Sequence, residues 1–203
     1  MTSFDTLRRE PRVAKLVLEL ESHSPVEVAD PSARRAAVAI LVRLGHADEP
    51  EIFFIQRSIY EGDPWSGQIA FPGGREEGGD GTLAETAIRE TFEETAIDLD
   101  KCAQLAGVLD DLHPRTVRLP AVVVRPFVFL VAECPETSLS IEVADCFWVP
   151  LSALLDRSVW RDATVLAGGT EMSRFAFHHR GFVIWGMTER ILSGMLALIG
   201  RTA

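Results

Sequence analysis

The chain has 203 residues, 47% of them hydrophobic and 25% charged, a balance that buries one sizeable core and favours a single domain with an appended segment at one end. Its 30 acidic and 20 basic residues give a formal net charge of −10, which argues against broad electrostatic binding to a nucleic acid polymer or an anionic membrane. A small anionic substrate stays open, because bound cations invert the sign of a site locally.

Cys102, Cys134 and Cys146 stand far apart with no Cys-x-x-Cys pair and read as reduced thiols. The opening residues Met1–Glu10 lack the apolar stretch of a signal peptide, and the late apolar run Ile191–Ile199 is too short to span a bilayer. A cytoplasmic protein is the expectation.

In chain order, residues 4–22 carry Leu7, Val13, Leu16, Val17 and Leu20 at helical spacing, with Pro11 marking a start or a kink. Residues 22–32, with Pro25 and Pro31, read as a connector, so 1–33 forms an N-terminal helix and linker and 34–203 the main domain. Ala36–Val42 and Glu51–Gln56 are strands joined through the loop Gly45–Pro50. The loop Glu61–Gly67 leads to a short strand at Gln68–Phe71, then to the glycine-rich stretch Gly73–Gly81 and a helix to about Thr95. Ala103–Leu109, Ala121–Val131 and Glu142–Val149 are further strands; Thr164–Leu166 and Phe175–Ile184 are weaker ones, with a turn at His179–Gly181. Met187–Ile199 closes the chain as an apolar helix that packs on its own domain or on a second copy as a homodimer. Strands without regular βαβ alternation imply an α+β sandwich.

The central helix opens with a capping box, Thr82-Leu83-Ala84-Glu85. Glu90, Glu93 and Glu94 share one helical face, and Ala84, Ile88, Thr91 and Thr95 share another that should pack on the core. Three carboxylates so placed repel by roughly 0.2–0.5 kcal/mol per pair, and within the helix only Arg89 offsets this. The residues fit either a solvated acidic face or a site for a hard divalent cation, magnesium or manganese, that holds phosphate oxygens. Phe71-Pro72-Gly73-Gly74 turns a strand toward this helix, and its glycines let the backbone approach a ligand closely, which favours a metal–pyrophosphate site. Gly78–Gly81 reads equally as a flexible turn.

The stretch Gly74–Ile97 resembles the Nudix box, and the Arg89-Glu90-x-x-Glu93-Glu94 core matches it residue by residue. The resemblance implies a Nudix-type α/β/α sandwich with a mixed β-sheet, metal ligation by Glu90, Glu93, Glu94 and the Gly73 or Gly74 carbonyl, and a positioning role for Arg89. It departs at three points: the loop acid is Asp80 and lies one residue farther from Arg89, Thr91 replaces an aliphatic residue, and Ala96 replaces the late glycine. A left-handed Ala96 would cost about 1 kcal/mol.

Phe71–Gly74, Asp80, Thr86–Glu90, Gln56–Ser58, Gly67–Phe71, Phe147–Leu151 and Ile184–Thr188 resemble the coenzyme A pyrophosphatase branch over residues 35–195. That implies magnesium-dependent cleavage of coenzyme A to phosphopantetheine and 3′,5′-ADP. The branch carries an arginine where this chain has Glu61–Ser66 without a basic residue, so ADP-ribose or another nucleotide conjugate is the alternative. A catalytically silent nucleotide-binding protein is a third reading. Arg57, Arg75 and Arg115 are candidate phosphate contacts or surface ion-pair partners. Trp65 either stacks on the substrate or anchors its loop. The polar run Asp110–Arg115 either lines the cleft or forms an ordinary turn. Phe71, Gly73 and Gly74 complete the substrate set. Glu93, Glu94 or Glu142 is the candidate base; Glu142, a base or an extra metal ligand, is as an isolated acid more often simply solvated.

Overall fold

The computed structural model describes residues 3–63, 65–114, 121–132, 136–167 and 170–200. Arg115 and Cys134 lie outside the described residues.

Pro11 divides the N-terminal helix in two, giving α1 (Ser3–Arg9) and α2 (Pro11–Ser22). Proline fits the first turn of a helix, where no intrahelical partner for its missing N–H is needed, and the Glu10 carboxylate accepts from the amides of Arg12 and Val13 at 2.8 and 2.9 Å. There follow β1 (Arg34–Leu44), β2 (Pro50–Arg57), β3 (Ile69–Ala70), β4 (Gly73–Arg75), α3 (Leu83–Thr95), α4 (Leu99–Cys102), β5 (Ala103–Val108), β6 (Val122–Val131) and β7 (Val143–Pro150). The chain continues through α5 (Leu151–Leu155), β8 (Trp160–Ala167), β9 (Thr170–His179), β10 (Phe182–Trp185) and α6 (Gly186–Leu198).

The expected α+β sandwich with a mixed sheet is what forms. Seven strands make one sheet with the path β3-β2-β1-β6-β5, β4 added to β1 and β7 to β2. β1 runs parallel to β6 from Arg34↔Val122 to Val42↔Leu130, while its other edge serves β4 and β2 antiparallel in turn. Alternation splits the strands between two cores: Ile40, Val42, Ile52, Phe54, Val128 and Leu130 face α2 and α6, whereas Ala39, Leu41, Phe53, Ile55, Phe127 and Phe129 face α3 and α4. Burial on both faces is why β1, β2 and β6 read as almost unbroken apolar runs.

The weaker strands prove longer than their sequence signal and form a separate sheet, β10-β9-β8, tied to the body by Trp160, Phe177 and Ile184. Ile191, Leu192, Met195 and Leu196 of α6 are buried within the chain's own core. α4, α5 and β4, which the pattern does not announce, are all too short for a periodicity to show. The apolar face of α3 is rotated from the expected one: Leu83, Thr86, Ala87, Thr91, Glu94 and Thr95 are buried, while Ala84 and Ile88 are half-buried. One of the three acids therefore lies on the buried side. No helix among the described residues is long and apolar enough to cross a membrane.

Candidate active site

A glycine corner places the carboxylate helix against the sheet. β4 pairs with β1 through Val38↔Gly73, Ala37↔Gly74 and Ala36↔Arg75, and Pro72 accepts from the Ala39 amide at 2.8 Å. A Cβ at Gly73 would run into the Ala37 carbonyl oxygen and come within 2.6 Å of Val38 Cα; one at Gly74 would run into the Glu90 carboxylate. The two glycines thus bring the backbone directly beneath two of the acids.

Glu94 is 3% exposed and accepts from the Gly73 amide at 2.9 Å. Burial pushes its pKa up to about 8, against the lowering pull of that amide and of Arg57, with Glu90 and Glu142 adding repulsion. The nearest cation is Arg57, whose Nη1 lies 3.9 Å from Glu94 Oε1. Glu90 is half-buried, and burial raises its pKa too; Arg89 opposes this, while Glu93 and Glu142 add to it. Glu93 is exposed. The three acids are thus graded from buried to solvated, and the solvated-face reading does not hold for Glu94.

Arg89 uses its guanidinium as a hub. Nε and Nη2 donate to the two oxygens of Asp80, each at 3.0 Å, Nη1 donates to Glu90 and Glu93 at 3.1 and 3.2 Å, and Nη2 also donates to the Arg75 carbonyl at 3.0 Å. Asp80 in turn accepts from Thr86 Oγ1 and the Glu77 amide, both at 2.9 Å. The Arg89 fork, with that amide, holds the Asp80 carboxyl well below the usual carboxylate range. The Gly78–Gly81 turn is consequently a pinned support for Arg89. At the helix start the capping box forms with a variation: Thr82 Oγ1 accepts from the Glu85 amide at 3.2 Å, but Glu85 reaches back to the Gly81 amide at 2.8 Å. Ala96 does take up the left-handed conformation (φ 59°, ψ 14°), and its amide donates to the Phe92 carbonyl.

A cleft of about 680 Å³ opens over this helix. Glu90, Glu93, Glu94 and Glu142 line its acidic end with Arg57 and Arg75, and Ile69, Phe71, Val122, Val124, Met187 and Ile191 form apolar wall. Glu142 is exposed, yet the segment carrying it is fastened: Ser138 and Ser140 donate their amides to the carbonyls of Thr95 and Glu94, each at 3.0 Å. These carbonyls end α3 and lack helical partners.

Of the other candidates, Arg57 is half-buried, with Nη2 on Asp63 at 3.1 Å. Phe71 is buried and stacks on Phe54 at 5.0 Å, so it serves as packing as well as cleft floor. Trp65 lines the cleft and is also anchored, its amide donating to Asp63 at 3.0 Å. The Asp110–His113 run does not line the cleft. Asp110 accepts from His23 and the Val26 amide, Asp111 accepts from Arg125 at 2.7 and 2.9 Å and from the Val28 amide, and His113 faces Asp30. These residues strap the 22–32 connector to the body, because two adjacent acids there meet exposed backbone amides. Asp63, Gln68 and Thr188, which the sequence pattern carries only as parts of longer segments, line the cleft, and so does Glu77, which it does not single out. Nothing in the local spacing marks Glu77.

A family model for the NUDIX domain matches residues 33–168, from the start of β1 past Glu142. The chain belongs to the Nudix family. It is 32% identical over 155 residues to an uncharacterized protein of Schizosaccharomyces pombe, covering 67% of this chain and 47% of that one, so it spans about half that relative's length. It is 26% identical over 175 residues to the uncharacterized Nudix hydrolase NudL of Salmonella heidelberg, covering 86% and 88%. A MutT/nudix family protein from Enterococcus faecalis superposes with a TM-score of 0.55 at 16% identity, over 99% of this chain and 80% of that one, which shows the shared fold.

Nudix hydrolases generally use divalent metal ions, and the donor set here suits one. Among the described residues no three acidic, His or Cys side chains close into a cage. Magnesium needs no such cage, since it keeps several waters and takes one or two carboxylates together with substrate phosphates. The buried Glu94 carboxylate, short of a close cation, and the neighbouring Glu90 provide hard oxygen donors in that number.

Proposed function

We propose that this Nudix protein hydrolyses the pyrophosphate bond of a nucleoside diphosphate linked to a second moiety, using magnesium held first by Glu90 and Glu94, with Glu93 and the Gly74 carbonyl as further ligands once substrate and metal are in place. The observation that carries the reading is Glu94, a carboxylate buried beside Gly73 and Glu90, whose charged form the Gly73 amide and Arg57 compensate only in part, so that a bound cation would favour it. A divalent cation in that position supplies neutralisation of the pyrophosphate charge and acidifies water. Gly73 and Arg89 fix the directions of Glu94, Glu90 and Glu93. Arg57 and Arg75 contact phosphate oxygens, and Glu142, facing Glu90 and Glu94 across the cleft, accepts the proton of the attacking water.

Coenzyme A or a derivative is the proposed conjugate, with phosphopantetheine and 3′,5′-ADP as products. In support, segments that are distant in sequence and resemble the coenzyme A branch meet at one cleft: Arg57, Gln68–Phe71, Met187 and Thr188 all line it, and Thr188 Oγ1 donates to the Ile69 carbonyl at 3.0 Å. The apolar wall suits a pantetheine arm. ADP-ribose is the second reading, favoured by Asp63, an acid on the cleft wall in the loop without a basic residue. The test is product release from coenzyme A, acyl-coenzyme A, ADP-ribose, NADH, diadenosine polyphosphates and nucleoside triphosphates with and without magnesium. Turnover of none by the parent, or equal turnover by Glu93→Gln or Glu94→Gln, sinks the enzyme reading; preference for ADP-ribose removes only the coenzyme A assignment.

A further inference from the structure

The backbone around Glu142 is held from two sides, and only one of them belongs to the carboxylate helix. On the helix side, the amides of Ser138 and Ser140 bond to the last carbonyls of α3. On the other, the Ser58 amide donates to the Glu142 carbonyl at 2.8 Å, and Tyr60 Oη donates to the Ile141 carbonyl at 3.0 Å. The two carbonyls stand on either side of the Glu142 Cα, in the peptides that precede and follow it. Within the same segment the Val143 amide closes a turn onto Ser140 O at 3.2 Å, and Ser140 Oγ accepts from the Glu142 amide at 3.3 Å.

The bonds come from the end of β2, where the register against β7 shifts between Gln56 and Arg57. Such a bulge re-aims the chain that follows it. Beyond it, the described residues of the loop are tied to one another: Tyr60 donates its amide to Ser66 Oγ at 2.8 Å, Ser66 donates its amide to Asp63 O at 3.1 Å, and Asp63 also holds Arg57 and the Trp65 amide. One loop therefore contacts both the cation beside Glu94 and the peptide that precedes Glu142.

We infer that Tyr60 is a positioning residue for Glu142: its hydroxyl fixes the Ile141 carbonyl so that the Glu142 carboxylate faces Glu90 and Glu94 across the cleft. This rests on the reading of Glu142 as the acid that serves the hydrolysis. Tyr60 itself does not line the cleft, so its influence on the reaction runs through the peptide it holds.

Tyr60→Phe deletes that hydroxyl and keeps the ring. With magnesium and whichever conjugate the panel selects, kcat falls roughly 3- to 10-fold, the effect of one hydrogen bond, while KM stays within about twofold. In a Glu142→Gln background the same substitution changes kcat by less than about twofold, because the group it positions is gone. In the metal-free protein, amide hydrogen exchange across residues 136–143 quickens in Tyr60→Phe while β1 keeps its protection. An unchanged kcat, an equal loss in the Glu142→Gln background, or unchanged exchange over 136–143 overturns the inference. Full activity of Glu142→Gln alone overturns it as well, yet leaves metal-dependent hydrolysis by Glu90, Glu93 and Glu94 standing.

Discussion

Replacing Glu94 by glutamine should make the metal-free protein more stable and the enzyme nearly inactive. The side chain is 3% exposed, and burial lifts its pKa from an ordinary 4.5 to about 8. The folded state therefore binds more protons than the unfolded chain between those values, and stability falls as pH rises through that window. From pH 4.5 to pH 7 the slope of about 1.4 kcal/mol per pH unit accumulates to about 3 kcal/mol. Glutamine has the same shape, keeps an oxygen for the Gly73 amide and does not titrate, so it avoids this cost. Urea unfolding in EDTA should show Glu94→Gln ahead of the parent by about 3 kcal/mol at pH 7 and by less than about 1 kcal/mol at pH 5, with unchanged m-values. Turnover with magnesium should drop on the order of 100-fold. Equal stability of the two proteins at pH 7, or a gain that persists undiminished at pH 5, would refute the account of Glu94 as a carboxylate placed against stability.

Ala96 is the one left-handed residue at the end of α3, so Ala96→Gly should raise stability by up to about 1 kcal/mol, read from the urea midpoint, with activity unchanged. Arg89→Lys keeps the charge but cannot fork Asp80 while reaching Glu90 and Glu93; kcat/KM should fall roughly 10- to 100-fold with a small change in melting temperature. Asp111→Ala removes the fork on Arg125, leaving that guanidinium to the exposed Glu27, and frees the Val28 amide; it should cost about 2 kcal/mol in unfolding free energy and expose the 22–32 connector to limited proteolysis.

The parts of this molecule legible in its sequence are those whose cause is local. The 3.6-residue spacing in α2 and α3, the glycine corner and the apolar runs of β1, β2 and β6 each express one element's own environment, and each forms where the pattern places it. Membership of a sheet is not local: β8 and β9 are mostly exposed with no clean alternation, and only the finished packing around Trp160 and Phe177 assigns them to a second sheet. The site divides the same way. The Arg89–Glu94 core can be read because one helix carries it, whereas the contrast between buried Glu94 and exposed Glu93 depends on how far α3 is rotated against β4.

The same reasoning explains why the Asp110–Arg115 run and Glu142 part company although both look like acids in turns. Asp110 and Asp111 spend their oxygens on the connector's amides, His23 and Arg125, and so have little left for a ligand. Glu142 has its backbone held from both sides while its carboxylate faces the cleft, beside two acids whose charge it makes costlier. An acid whose neighbours are satisfied by it is a support. One whose charge adds to the repulsion among its neighbours is better suited to meet a bound cation, and that difference, invisible in spacing, is what favours Glu142 over the Asp110–His113 run as a site candidate.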